Sequence, residues 1–191
     1  MPRLVPLTAL LAALALAVGL AACGDGDDGD GGGETTSTQA ADGPQGDLLS
    51  TGIGDVTQGM SIEEVETLIG PPDKTQKAAG CELDPNAKES LAATYRVEGG
   101  TVVFVFELPD AGLTSYRSTG SELGTEKNDY VNDPFESLQA HWGDQLEIGL
   151  GDPNTHNGIW KVQEDPDSEL LFDIRGGRIA AISGGEIQIC E

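Results

Sequence analysis

At 191 residues, with 33 acidic and 10 basic side chains and a formal net charge of −23, the chain has room for one domain or two small similar halves. So acidic a surface repels phosphate backbones and no basic cluster reverses this locally, which argues against nucleic acid as a partner; the charge serves solubility or meets a cationic surface. Three cysteines (Cys23, Cys81, Cys190) and two histidines (His141, His156) are little from which to compose a metal centre or a nucleophilic site, so no metal and no cofactor is expected.

The N-terminal stretch reads as a targeting segment. Arg3 is its only charge, Leu4 to Leu20 is almost wholly Ala, Leu and Val, and two small residues precede Cys23. Interrupted by Pro6 and Gly19, the apolar run falls short of the roughly 20 residues a spanning helix needs. Leu20-Ala21-Ala22-Cys23, followed by Gly24, resembles a bacterial lipobox. That resemblance implies a signal peptide over 1–22, lipidation of Cys23, and a protein anchored by lipid to the extracytoplasmic face of the cell membrane. Two acyl chains would anchor it stably, where one would be marginal. With Cys23 so used, Cys81 and Cys190 remain in a compartment where disulfides persist. A bridge between them would close a loop of about 110 residues and contribute roughly 4–5 kcal/mol in the chain-entropy model. The alternative is two unpaired thiols.

Residues 23–47 are expected to form the lipidated Cys and a disordered linker rich in Gly, Asp and Thr, with no base and no aromatic residue to support folding. Gly24-Asp25-Gly26-Asp27-Asp28-Gly29 satisfies G-x-G-x-x-G as a string, but no strand precedes it and its carboxylates would repel a pyrophosphate. Read as a calcium loop from Asp25 or Asp28, the tract has Thr36 or Gln39 where a bidentate Glu is needed.

The folded part is expected over 48–191. Ser61-Ile62-Glu63-Glu64 has the form of a capping box, Ile62, Val65, Leu68 and Ile69 share one helical face, and Gly70-Pro71-Pro72 stops the helix. After a Cys81–Leu91 loop come three strands rich in β-branched and aromatic residues, Leu91–Val97, Thr101–Leu108 and Leu113–Ser118, separated by Gly99-Gly100 and Pro109-Asp110-Ala111-Gly112. Asp133-Pro134-Phe135-Glu136 then supplies a cap, a first-turn Pro and an acid for a second helix bearing Phe135, Leu138 and Trp142, ended by Gly143. Strands at Ile159–Val162, Leu170–Ile174 and Arg178–Ser183 follow, with turns at Asp165-Pro166-Asp167 and Gly176-Gly177. The expectation is an α+β fold of two tandem repeats, about 48–120 and 121–191, each a short helix plus an antiparallel three-stranded meander, packed as one unit because neither half alone buries a sufficient core.

The run Val56-Thr57-Gln58-Gly59-Met60-Ser61, then Glu64-Val65 and Leu68-Ile69-Gly70 with a following proline, resembles the small outer-membrane-assembly lipoproteins of the SmpA/OmlA type. The doubled helix-plus-meander plan is similar to that of the secreted β-lactamase-inhibitory proteins, whose tandem repeats form a concave sheet that grips an enzyme. Those inhibitors carry one disulfide in each repeat and no lipobox, whereas Cys81 and Cys190 here would join the two halves. The resemblance implies binding without catalysis.

An enzyme needs convergent polar groups, and none is evident in the sequence. No G-x-S-x-G elbow occurs, His141 lies beside Trp142 on a helix, and His156 sits in the turn-like Asp152–Gly158. The leading expectation is therefore a lipid-anchored, non-catalytic binding or adaptor module of the bacterial envelope with a protein partner. A protein inhibitor of a β-lactamase or cell-wall enzyme, or a hydrolase built on an acid pair, stand as alternatives. Among the strand aromatics, Tyr116 and Trp160 are the candidate interface residues, each with polar neighbours and a hydrogen-bonding edge; alternatively such residues fill the core.

Overall fold

A computed structural model describes residues 43–78, 88–109, 112–165 and 168–186. Three two-residue strands open it, β1 (Leu48–Leu49), β2 (Gly52–Ile53) and β3 (Val56–Thr57), paired antiparallel in that order. Helix α1 (Ile62–Ile69) follows, and it begins where the capping box places it. The Glu64 amide donates to Ser61 Oγ at 3.3 Å and the Ser61 amide to Glu64 Oε2 at 2.8 Å, so two otherwise orphaned donors are satisfied. Gly70, at φ +86°, closes the helix in a conformation that favours glycine.

The next strands are β4 (Lys74–Ala78), β5 (Ser90–Val97), β6 (Gly100–Glu107) and β7 (Gly112–Ser118). Helix α2 (Phe135–Trp142) comes next, extended by a 3-10 turn at Gly143–Gln145. Then follow β8 (Glu147–Gly151), β9 (Gly158–Asp165), β10 (Ser168–Arg175) and β11 (Arg178–Gly185). All eight of these strands join one antiparallel sheet in the order β4-β5-β6-β7-β11-β10-β9-β8. The two meanders meet at their last strands, where Ser118 to Ser115 of β7 face Ile182 to Gly185 of β11.

This overturns the expected α+β architecture of helix-plus-three-stranded-meander repeats. The fold is mostly β, its two helices have eight residues each, and its strands form one eight-stranded sheet beside a small three-stranded one. The misreading has a physical origin. β4 and β8 are edge strands exposed along their whole length: β4 is Lys, Thr, Gln and Ala with no apolar alternation, and in β8 the alternation of Ile148 and Leu150 is only five residues long and interrupted by two glycines that weaken a strand signal.

A second correction concerns the start of α2. Asp133 does not cap it: Asp133 Oδ2 accepts from the Tyr130 amide at 2.9 Å, and Pro134 occupies the cap position with no side-chain bond. Instead the Phe135 amide donates to Gly177 O at 2.9 Å, so the β10–β11 hairpin satisfies the helix end. That hairpin turns on Gly176 and Gly177, at φ +59° and +71°, as a two-residue loop with two left-handed residues requires.

Residues directly opposite one another in an antiparallel pair share a face, so the register sorts the sheet into two sides. One row runs Tyr95, Val102, Ser118, Ile182, Phe172, Trp160, Ile148. This side is packed: its strand residues join Val65 of α1, Phe135, Leu138 and Trp142 of α2, and Leu48, Ile53 and Val56 of the small sheet in one buried cluster. The small sheet packs closely enough that a Cβ on Gly184 would fall 2.5 Å from Leu49 O.

Candidate binding face

The opposite side carries the row Lys74, Thr94, Val103, Arg117, Ser183, Leu171, Lys161, Glu147, one residue from each of the eight strands. Besides Arg117, its two middle strands present small, buried side chains here, Ser115 from β7 and Ala181 and Ser183 from β11. The flanking strands present larger ones, Val103 and Val105 on one side and Leu171 and Ile159 on the other, all half-buried. None of these four belongs to the buried cluster that the helices and the small sheet share.

An ion cluster crosses this face. Asp173 Oδ2 accepts from Arg117 Nη2 at 2.8 Å and from Arg175 Nη2 at 2.9 Å, and Asp173 Oδ1 accepts from Arg175 Nε at 3.2 Å. Burial pushes the Asp173 carboxyl up, but the hydrogen bonds and charges of Arg175 and Arg117 outweigh it and hold the group below its ordinary value. One carboxylate between two guanidiniums leaves one positive charge in excess. Beside them Lys161 donates to Glu169 at 2.7 Å. In a chain of net charge −23 this is an island free of anionic excess, with aliphatic groups on both sides.

The structure separates the two candidate interface residues. Tyr116 is in the core at 2% exposure, and its hydroxyl donates to Leu49 O at 2.8 Å. Burial, then the charge of Glu164, raises its phenol well above the usual range. Of the two readings open in the sequence, Tyr116 follows the one in which strand aromatics fill the core. Trp160 is half-buried; its Nε1 donates to His156 O at 3.0 Å and its ring lies 4.7 Å from that of Phe135. His156, at φ +57°, stacks on the other part of this cluster, 4.4 Å from Phe135. Cys23, Cys81 and Cys190 lie outside the described residues.

Sequence reasoning missed Asp129. It is wholly buried, and its carboxylate accepts from Trp142 Nε1 at 2.7 Å and from Thr125 Oγ1 at 2.9 Å, with His141 Nδ1 at 2.6 Å. Lys127 Nζ stands 3.7 Å over the Trp142 ring and donates to His141 O at 3.2 Å. The carboxylate is spent on tying the Thr125–Asp129 loop to α2. Among the described residues no serine, threonine or cysteine is hydrogen-bonded to the remaining nitrogen of His141, and none contains a group of three or more His, Cys, Asp or Glu arranged to hold a metal. The only advance signal was the run Thr125 to Asp129 ahead of His141 and Trp142, and it has no fixed spacing to recognise.

No protein-family model and no curated protein sequence matches the chain. Two solved structures are similar in outline. An extracellular protein containing a SCP domain from Bacillus anthracis shares 12% identity over 65% of this chain and 42% of its own, with a TM-score of 0.47. The uncharacterized protein yfeY from Escherichia coli shares 9% identity over 73% of this chain and 99% of its own, with a TM-score of 0.48. The chain thus spans less than half the length of the first of them.

Proposed function

We propose that this chain is a non-catalytic binding or adaptor module, held by lipid on Cys23 at the extracytoplasmic face of the cell membrane, that docks a protein partner of the envelope on its open sheet face. The observation that carries the reading is the composition of that face: half-buried Val103, Val105, Ile159 and Leu171 flank small residues, and Asp173 is clamped between two arginines. Interfaces combine apolar centres with polar rims and favour arginine, and the clamp holds two arginines in fixed orientation before a partner arrives. The lipobox-like tetrapeptide and the acidic linker support the address and the stand-off from the bilayer.

The test is proximity labelling from the full chain in its host. The wild type is expected to label a reproducible envelope protein, and Val103→Glu, which puts a charge into the middle of the face, to lose it while remaining at the membrane. Cys23→Ala is expected to lose lipid incorporation and membrane retention. Labelling unchanged by Val103→Glu would refute the docking face, and a membrane-retained Cys23→Ala would refute the anchor.

A further inference from the structure

The two edges of the eight-stranded sheet are finished differently. β4 is blunted in the usual way, with Lys74 and Lys77 among its five residues. β8, Glu147-Ile148-Gly149-Leu150-Gly151, has no lysine and no proline, and among the described residues only β9 pairs with it. Leu150 is 50% exposed and Ile148 37%, two of the three large hydrophobic residues exposed among the described residues. They stand on opposite sides: Ile148 is opposite Trp160 on the packed face, and Leu150, past an irregularity at Gly149, is opposite Ile159 on the open one. An incoming strand would find unpaired backbone groups and an apolar contact on each side, which is how strand addition combines affinity with side-chain selection. The irregularity keeps the available ladder short, which suits capture of one segment over open-ended stacking.

Charge selects the occupant. Exposed Asp144 and Glu147 stand at the start of β8 and exposed Asp152 follows its end, while nearby Lys161 is engaged by Glu169 and Lys127 by the α2 end. A second copy pairing antiparallel would set Asp152 of one chain against the acids at the start of β8 in the other, in molecules that already repel at −23 each. The geometry points to β8 as a strand-addition edge for an extended segment of a protein partner, apolar in its middle and carrying Lys or Arg at its ends. This rests on the reading of the chain as a binding module, but uses the sheet edge in place of its open face.

The probes are three labelled peptides titrated by fluorescence anisotropy against the full-length chain in detergent. One alternates Thr and Val between terminal Arg residues, the second has Glu in place of Arg, and the third has Pro at the central Val. The Arg-flanked peptide is expected to bind at least about tenfold more tightly than either of the others. Leu150→Lys is expected to weaken it by about tenfold or more, and the Glu147→Lys, Asp152→Lys double variant to abolish the preference for Arg over Glu flanks. Lys77→Ala, on the opposite edge strand β4, is expected to leave peptide binding unchanged. Equal binding of Arg- and Glu-flanked peptides, or full binding by a Leu150→Lys chain with an unaltered circular dichroism spectrum, would overturn the proposal. So would sedimentation showing wild-type dimers that Leu150→Lys dissolves, which would give the edge to a second copy. Failure here with partner labelling still sensitive to Val103→Glu would leave the open-face reading standing.

Discussion

Tyr95 on β5 and Tyr116 on β7 lie either side of β6 on the same packed face, yet only one has its hydroxyl satisfied. Tyr116 donates to Leu49 O, whereas the buried Tyr95 hydroxyl has no hydrogen-bond partner among the described residues. Burial, and then the charge of Glu66, pushes the Tyr95 phenol up to about 12 from 10.0. A raised folded value means that the neutral phenol stabilises the fold fully below pH 10.0 and that this contribution is lost as pH rises toward about 12. Urea midpoints are therefore expected to fall across that window, and less steeply for Tyr95→Phe. At neutral pH the same substitution removes an unpaired buried hydroxyl and should keep or raise stability, by up to about 1 kcal/mol. The strand register puts both tyrosines on one face. Whether that face was the core or a docking surface depends on where α1 and the small sheet come to rest.

At the scale of elements, α1 and α2 show two ways of finishing a helix. α1 is closed by its own neighbours, Ser61 and Gly70, so both ends were legible. α2 is held from outside: Gly177 O takes the Phe135 amide, and Asp129 holds its C-terminal turn through Trp142 and His141. Asp129→Ala would leave the indole N–H and the Thr125 hydroxyl without their acceptor in a buried site. The expected cost is about 3 kcal/mol, read as a lower urea midpoint, with Lys127→Ala, which loses a partly exposed cation over Trp142 and its bonds to His141 O and Gln145, costing less than about 1 kcal/mol. Equal effects of the two would show that the carboxylate is not the anchor.

On the scale of the molecule, the sheet is one continuous structure whose middle is the β7–β11 pair, joining residues far apart in the chain. Such non-local pairing pays loop-closure entropy before it is rewarded, so a covalent link between the two meanders would help most there. Cys81 follows β4 and Cys190 follows β11 in sequence, outside the described residues. The bridge between them stays a proposal that unreduced peptide mass spectrometry checks: a Cys81–Cys190 linked peptide is expected, and alkylation of both cysteines without reductant would refute it. A chain carrying that bridge should lose roughly 4 kcal/mol on reduction.

The sequence by itself determined what is written within a few residues: the capped helix at Ser61–Gly70, the glycine hairpin at Gly176-Gly177, and the β-branched strands β5 to β7 and β9 to β11. These rest on caps, turn conformations and side-chain alternation, which act over one or two turns of chain. Only the tertiary structure decided the rest. β4 and β8 became strands because a neighbour offered an edge; β4 carries no periodic signal, and that of β8 is short and interrupted by glycines. Tyr116 went inward and Leu150 stayed out because side choice is fixed by what packs against the sheet, and Asp129 acquired its role from His141 and Trp142, which only folding brings to it. The fold class changed with them, since two meanders that meet at β7 and β11 become a single sheet.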